Sequence, residues 1–216
     1  MVAVANPVNI DVYGWANVSG SKKSRKILLA VGRLESQKDH EVLIKAFSQI
    51  ADQLPDWDLR IIGDGKLRQK LTSMINRFGL KERVYLPGVT KNIMEEYLSA
   101  QLFVQPSRYE SFGLTTAEAL AHRLPAVGFE DCLGINQMIK PGVNGDLAKG
   151  KGRRSESLAI TLNALMENDG LRVRLSKQSG GIPYVCHLES VLNQWEEIIN
   201  EVKRRYPVSG RLNSER

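Results

Sequence analysis

Short apolar runs alternate along the chain with stretches in which apolar residues recur at helical spacing. The run over 27–31 predicts a buried strand, and the apolar residues between Val42 and Ile50 lie on one face of a predicted helix. The same alternation continues to about residue 148. It predicts further strands over 58–62, 84–86, 102–105, 125–127 and 146–148, with intervening helices over 67–78, 93–99 and 113–122.

Strands that are separated by single helices are typical of parallel sheets, because a right-handed crossover returns each strand in the same direction. The pattern therefore predicts an α/β protein with a doubly wound, six-stranded, Rossmann-like sheet that helices cover on both faces. From Ser155 onward the pattern is purely helical, with a break around 180–183. The final helix carries an apolar stripe from Leu188 to Val202.

The composition is that of a soluble globular protein with a sizeable core, since 42% of the 216 residues are hydrophobic and 25% are charged. The longest apolar run, 27–31, is too short to cross a bilayer, and no signal peptide is predicted. Cys132 and Cys186 lack metal-ligand spacing, so we expect two reduced thiols. These features favour a cytoplasmic protein and leave open an association with the inner face of the membrane.

The net charge of +6 does not by itself indicate a nucleic-acid partner. The 30 Lys and Arg residues are mostly interleaved with the 24 Asp and Glu residues, and two short basic clusters stand out at 149–154 and 203–205. Neither cluster contains interleaved aromatic residues, and the chain has no recognised nucleic-acid motif. A mild positive charge suits anionic small ligands or an acidic membrane surface at least as well.

The predicted topology indicates where a ligand would bind. In an open α/β sheet, ligands bind beyond the carboxyl ends of the strands, at the point where the strand order reverses. With the common order 3-2-1-4-5-6, strands one and four are neighbours at that point. The loops that follow them are 32–38 and 106–113, and both carry groups suited to a phosphorylated sugar.

The first loop carries two cations, Arg33 and Lys38. A guanidinium binds phosphate oxygens through a planar fork and an ammonium acts as a point charge, so the pair could neutralise a diphosphate without a metal ion. In an arbitrary loop, two cations are more often solvated surface charge. Their position after the first strand favours the phosphate interpretation.

The second loop ends at Gly113, where a helix is predicted to begin. The free N–H groups of Phe112, Gly113 and Leu114 would face a bound anion, which the helix dipole also attracts. The carboxylates of Glu110 and Glu118 lie eight residues apart and are suited to accept hydrogen bonds from sugar hydroxyls. Taken singly, Glu118 could be an acid near a helix start and Glu110 an exposed loop acid. Those interpretations do not explain the spacing of the pair.

At these residues the chain resembles the retaining GT-B glycosyltransferases classed as group 1 or family 4. The family's E-x7-E signature is matched by Glu110 and Glu118, and its G-R-L loop with a downstream lysine is matched by 32–34 and Lys38. The resemblance runs over roughly residues 6–206 with the blocks in order and at compatible spacing. The two later blocks of the family are matched at 124–127 and 142–145.

The resemblance implies a donor diphosphate held by Arg33 and Lys38 beside Gly32, and a donor sugar in contact with Glu110. The reaction would retain the anomeric configuration, with the acceptor attacking on the face from which the diphosphate departs. Negative charge then develops on the leaving phosphate, where two preplaced cations stabilise the transition state more than the ground state. The implied donor is UDP- or GDP-linked, and neither a cofactor nor a metal is implied.

The resemblance also implies which residues hold the nucleotide. One carboxylate would bind the ribose, and the loop after the third strand would frame the base mainly through backbone atoms. The amides that follow Glu110 would meet phosphate or sugar oxygens. The implied binding residues are Val89, Asn92, Phe112, Gly113, Leu114 and Glu118.

Two positions depart from the family pattern. Gln137 stands where glutamate is frequent, so a sugar contact there would be neutral. Asp39 follows Lys38 where glycine is frequent, which is a tolerable change at a helix start. The segments 149–154 and 179–185 fit the pattern poorly, and no function is assigned to them.

Enzymes of the family are longer than this chain and have an N-terminal Rossmann-like domain that binds the acceptor. The resemblance therefore implies a fragment or a truncated gene product that binds a nucleoside diphosphate weakly and transfers no sugar. A saccharide or lipid-linked acceptor would bind the missing domain. The implied parts are a linker remnant at 1–24, a nucleotide-sugar-binding domain at 25–182, a helix packed on it at 183–206 and a disordered tail at 207–216.

We expect the donor-binding domain of a hexosyltransferase acting in envelope or surface polysaccharide synthesis. One alternative is another enzyme on the same fold, either an epimerase, which is not expected to share E-x7-E, or a phosphorylase, for which no lysine has the context that pyridoxal phosphate needs. A second alternative is a non-catalytic module that binds nucleotides or nucleic acid. Salt-dependent binding of random DNA, without competition by UDP, would indicate that module.

Overall fold

The computed structural model describes residues 14–20, 25–179 and 188–206. Over these residues six strands alternate with the first five helices, and three more helices follow the last strand; a short 3-10 turn at Ser36–Lys38 precedes the first helix. The strands are β1 Lys26–Val31, β2 Trp57–Ile62, β3 Val84–Gly88, β4 Leu102–Val104, β5 Ala126–Phe129 and β6 Gly145–Ala148. The helices are α1 His40–Ile50, α2 Arg68–Arg77, α3 Ile93–Ser99, α4 Leu114–Ala121, α5 Leu133–Asn136, α6 Arg154–Met166, α7 Asp169–Gln178 and α8 Leu188–Arg205.

The strands form one parallel sheet in the order β3-β2-β1-β4-β5-β6. This confirms the predicted doubly wound α/β fold and places β1 beside β4. Leu28 of β1 pairs with Leu102 of β4, so the loops that leave these strands begin at the same edge of the sheet. The carboxyl edge between β1 and β4 is therefore where the strand order reverses.

The structure corrects the predicted strand boundary near Pro87. The third strand was expected to end before Pro87, but β3 continues to Gly88. Proline is tolerated there because β3 is an edge strand, and because its pairing with β2 shifts register, from Arg60 opposite Tyr85 to Ile62 opposite Gly88. The short helix α5 was not predicted, since four residues carry too little periodicity to detect.

The core is built around the central strand β1. Leu28, Leu29 and Ala30 are fully buried, as expected for a strand that helices cover on both faces. On one face α1 packs against α6, and the side chains of Leu43 and Phe47 are inaccessible to solvent. The packed core thereby holds the carboxyl ends of the strands in place.

A buried arginine, Arg172, links residues 14–20 to the core. Arg172 of α7 has no exposed surface, and its guanidinium lies 4.8 Å from the Trp57 ring centroid. It donates to the carbonyl oxygens of Val18 at 3.1 Å, Leu165 at 2.6 Å and Met166 at 2.8 Å, and also to the Asp169 carboxylate. Desolvation lowers the pKa of Arg172, and the hydrogen bond and negative charge of Asp169 partly oppose that effect.

Helix α8 places much of its apolar stripe in solvent. Val191 is buried against the rest of the chain, whereas Leu192 and Trp195 remain about half exposed. Over the described residues, no helix has both the length and the hydropathy of a membrane span. Four predictions fall outside the described residues: those for Cys186, the break at 180–183, the tail at 207–216 and most of 1–24.

Candidate functional site

The loops after β1 and β4 are joined by two hydrogen bonds. The amide of Arg108 donates to the carbonyl oxygen of Gln37 at 2.9 Å, and Nε2 of Gln37 donates to the carbonyl oxygen of Tyr109 at 3.0 Å. The two loops therefore have a defined relative position, as the topology predicted.

An ion pair between Lys38 and Glu110 lies where these loops meet. Lys38 Nζ contacts Glu110 Oε1, and the two side chains are only 14% and 10% exposed. The same oxygen accepts hydrogen bonds from Ser107 Oγ at 2.7 Å and from Gln105 Nε2 at 3.1 Å. Thr115 Oγ1 in turn donates to Gln105 Oε1 at 3.1 Å. The carboxylate is thus fixed through one oxygen, and Lys38 is not a solvated surface charge.

Arg33 differs from Lys38 in its surroundings. Its side chain is exposed and makes no hydrogen bond to the part of the chain that the structure describes. Gly32 lies against the stem of Lys38, because a Cβ at Gly32 would come within 3.3 Å of Lys38 Cδ. The structure thus brings Gly32, Lys38 and Glu110 together, whereas the Arg33 guanidinium has no partner among the described residues.

Two buried residues that the sequence argument did not assign to the site support the first loop. Asp39 adopts the left-handed conformation at φ 51° and begins α1, which explains why glycine would be favoured there. Its carboxylate is 4% exposed and lies 3.1 Å from Arg108 Nε and 3.8 Å from Arg154 Nε. Burial raises the pKa of the Asp39 carboxyl group. His40 is 1% exposed, and burial beside the backbone of the first loop lowers its pKa to about 4.

Arg154 connects the second loop to the end of β5. Its guanidinium lies 3.7 Å from the Phe129 ring centroid, and it donates to Asp131 at 2.9 Å and to the carbonyl oxygen of Ser107 at 3.4 Å. This role could not be predicted from the sequence, because the segment 149–154 fits the family pattern poorly. Gln137, at the end of α5, is exposed.

Helix α4 begins at Gly113, as predicted. Gly113 has a φ of 85°, and a Cβ there would lie 2.7 Å from Ile135 Cδ1, so both the backbone and the packing favour glycine. The amides of Phe112, Gly113 and Leu114 donate to no acceptor among the residues that the structure describes. Unsatisfied amides at a helix N-terminus form a potential anion site.

Glu118 lies within α4 and is bonded to α3. The hydroxyl of Tyr97 donates to Glu118 Oε2 at 2.7 Å. Tyr97 is 1% exposed, and burial followed by the charge of Glu118 raises its pKa well above the usual range. Glu118 is partly buried, and its Oε1 accepts no hydrogen bond within the described ranges. It is therefore not simply a solvated acid near a helix start.

A cavity of about 230 Å³ opens where β1, β2 and β3 end. Val89, which is 79% exposed, lies at this cavity, whereas Asn92 is exposed at the start of α3 and does not line it. A larger groove of about 530 Å³ runs along α6, from Glu156 to Glu167, beside the C-terminal end of α1. The smaller cavity is lined by Val31, Gly32, Ile62, Gly63, Val89, Thr90 and Ile93.

Sequence comparison places the chain in a known family. The family model for glycosyl transferases group 1 matches residues 14–180. An exopolysaccharide phosphotransferase of Streptomyces coelicolor is 30% identical over 86% of this chain and 20% of its own length. The amylovoran biosynthesis glycosyltransferase AmsD of Erwinia amylovora is 29% identical, covering 85% of this chain and 50% of its own. The poly(glycerol-phosphate) alpha-glucosyltransferase of Bacillus subtilis is 26% identical, covering 84% of this chain and 26% of its own. The chain thus spans half or less of the length of these relatives.

Solved structures share the fold. TarM of S. aureus, in complex with fondaparinux, alpha-GlcNAc-glycerol and UDP, superposes with a TM-score of 0.76 at 26% identity, over 84% of this chain and 37% of TarM. The C-terminal domain of the group 1 glycosyl transferase LpcC from Francisella tularensis gives a TM-score of 0.68 at 21% identity, over 87% of this chain and 98% of that domain. The chain therefore has the fold of a C-terminal GT-B domain, and the family match over residues 14–180 shows that it belongs to the glycosyl transferases of group 1.

Proposed function

We propose that the chain is the donor-binding half of a retaining hexosyltransferase and binds the nucleoside diphosphate of a UDP- or GDP-linked sugar. The observation that carries the proposal is the Lys38–Glu110 ion pair, which lies where the strand order reverses. Glu110 is followed within four residues by the first amides of α4, which have no acceptor among the described residues. Cations, a carboxylate and helix amides at one edge of a sheet suit an anionic ligand that is rich in hydroxyl groups.

Arg33 and Lys38 are the proposed cations for the diphosphate. The Arg33 guanidinium is exposed and bonds to none of the residues that the structure describes, so we propose that it binds two phosphate oxygens. The Lys38 ammonium has three N–H donors, so it contacts Glu110 and still has donors for a phosphate oxygen. When the bond to the sugar breaks, these charges stabilise the leaving diphosphate, and the proposed reaction therefore uses neither a metal nor an organic cofactor.

Two carboxylates are proposed to hold the hydroxyl groups of the donor. Oε1 of Glu110 accepts the hydrogen bonds from Ser107 and Gln105, and Oε2 is the oxygen proposed to bind the transferred sugar. Oε2 of Glu118 accepts from Tyr97, and Oε1 is the oxygen proposed to bind the ribose. The cavity at the ends of β1, β2 and β3 is the proposed base site, with Val89 at its mouth. Asn92 would contribute through its backbone.

The names of the relatives support a place in surface polysaccharide synthesis, because they refer to an exopolysaccharide, poly(glycerol-phosphate) and amylovoran. We propose that a further domain supplies the contacts to a saccharide or lipid-linked acceptor, and that the chain alone transfers no sugar. The proposed location is the cytoplasm, at the inner face of the membrane where the acceptor is lipid-linked.

Calorimetric titration of the chain with UDP, GDP and ADP tests the donor site. At least one should bind, and Lys38→Ala should weaken that binding by about 1.5–3 kcal/mol, the range for a hydrogen bond to a charged group. Lys81→Ala is the control, because Lys81 is exposed before β3 at the opposite edge of the sheet. Absence of binding by all three nucleotides in a folded sample would overturn the proposal. Salt-dependent DNA binding without competition by UDP would instead indicate a nucleic-acid module.

A further inference from the structure

Tyr97 is a buried tyrosine whose hydroxyl group has one close partner, the carboxylate of Glu118. Its ring stacks on His122, with centroids 5.1 Å apart, and lies 6.1 Å from the ring of Phe103. The hydroxyl donates to Glu118 Oε2 at 2.7 Å and is 3.4 Å from the carbonyl oxygen of Thr115. The stacking on His122 and the hydrogen bond to Glu118 together fix the direction of the O–H group.

The position of Tyr97 on α3 relates this hydrogen bond to the proposed base cavity. Ile93 lines that cavity, and Tyr97 follows Ile93 by four residues, so both side chains lie on one face of the helix. Tyr97, the partner of the Glu118 carboxylate, is accordingly one helical turn away from a residue that lines the cavity. Its Oε1 accepts nothing from the described residues and is available to a ligand.

We propose that Tyr97 is a positioning residue that holds the Glu118 carboxylate through Oε2 and thereby presents Oε1 to the ribose hydroxyls of the donor nucleotide. The inference rests on the donor site proposed above. A glutamate side chain has three rotatable torsions, and ordering it on binding would reduce affinity, whereas a carboxylate already ordered avoids that loss. The effect should appear only for nucleotides that have the hydroxyl groups.

The charge state of Tyr97 agrees with a permanent donor. Burial and the neighbouring Glu118 raise its pKa well above the usual range, so the hydroxyl keeps its proton at neutral pH. The alternative is a purely structural tyrosine, which packs its ring and satisfies its hydroxyl wherever an acceptor lies. A structural tyrosine would affect all nucleotides equally, and this difference separates the two roles.

The test compares ribose and dideoxyribose nucleotides on the Tyr97→Phe variant. Phenylalanine keeps the ring and its stacking on His122 but removes the donor to Glu118. Calorimetric titrations would use UDP with 2′,3′-dideoxy-UDP, and the matching guanine and adenine pairs. Tyr85→Phe is the matched control, since its hydroxyl donates to the carbonyl oxygen of Glu82 at 2.8 Å, outside the site. Thermal unfolding checks that each variant is folded.

We expect Tyr97→Phe to weaken binding of the ribonucleotide by about three- to tenfold, the effect of one hydrogen bond, while the dideoxy nucleotide and the Tyr85→Phe control change less than about twofold. In a Glu118→Ala background, Tyr97→Phe should cause no further loss of affinity for the ribonucleotide. Equal losses for both nucleotides, or an unchanged preference for the ribonucleotide, would overturn the role of Tyr97 but leave the donor site intact. Failure of the unmodified chain to bind any nucleotide would refute the donor site itself.

Discussion

Acidification should loosen the first loop through His40. Its ring is 1% exposed and faces the backbone of Gly32 and Arg33, but neither ring nitrogen forms a hydrogen bond of normal geometry within the described residues. Burial lowers the pKa of His40 from 6.5 to about 4. Because the unfolded chain binds the proton more tightly, the stability contributed by neutral His40 is complete above pH 6.5 and is lost as the pH falls towards 4.

The size of this effect follows from the two pKa values. A shift from 6.5 to about 4 corresponds to about 3 kcal/mol, since one pKa unit is worth about 1.4 kcal/mol. At pH 4.5 most of the effect should be present, about 2.5 kcal/mol. Asp39 opposes it, because its raised pKa in the folded chain favours the folded state at acid pH. For this reason a difference between two chains is more informative than one pH profile.

Urea denaturation of the unmodified chain and of His40→Gln, at pH 7.5 and 4.5, measures that difference. Glutamine keeps a polar group of similar length but cannot titrate in this range. The unmodified chain should lose about 2–3 kcal/mol more on acidification than the variant. Affinity for the bound nucleotide should fall over the same range, because His40 supports the loop that carries Arg33. An equal loss of stability in both chains would show that His40 is not the titrating group.

Two further predictions concern the Lys38–Glu110 pair and Gly113. Lys38→Met should lower the free energy of unfolding by about 1–3 kcal/mol, because it leaves a nearly buried carboxylate without its cation. Adding Glu110→Gln to that variant should recover part of the loss. If the two losses are additive in a double-mutant cycle measured by urea denaturation, the pairing is contradicted. Gly113→Ala should cost about 1–3 kcal/mol from its positive φ and the Ile135 contact, and should weaken nucleotide binding. Gly79→Ala, with a φ of 69° and open space around the added Cβ, isolates the backbone component, so equal unfolding energies for both variants would exclude the Ile135 contact.

Most of the fold could be predicted because its signals are local. The run at 27–31 is apolar enough to be a strand in any context, and the helical spacing from Val42 to Ile50 predicts α1 directly. The end of β3 could not be predicted in the same way. Proline normally ends a strand, and only the edge position and the register shift against β2 allow β3 to pass through Pro87.

The candidate site could likewise be predicted only in part. The residues of the E-x7-E and G-R-L segments could be named from the chain, since their spacing and order are properties of the sequence. That Lys38 meets Glu110, and that Tyr97 donates to Glu118, depends on which loops and helices become neighbours after folding. Arg154 shows the same limit, because its contacts with Ser107 and Phe129 join segments far apart in the chain.

Periodicity and motif spacing by themselves determined the fold class, the order of the elements and the two loops that carry the candidate site. These properties follow from the side chains of neighbouring residues, whose hydrophobic pattern specifies helix or strand before any long-range contact forms. The tertiary structure decided which charges are paired, which are free and which side chains hold them in place. Burial decided these matters, because only a side chain removed from water needs a specific partner for its charge or hydroxyl group.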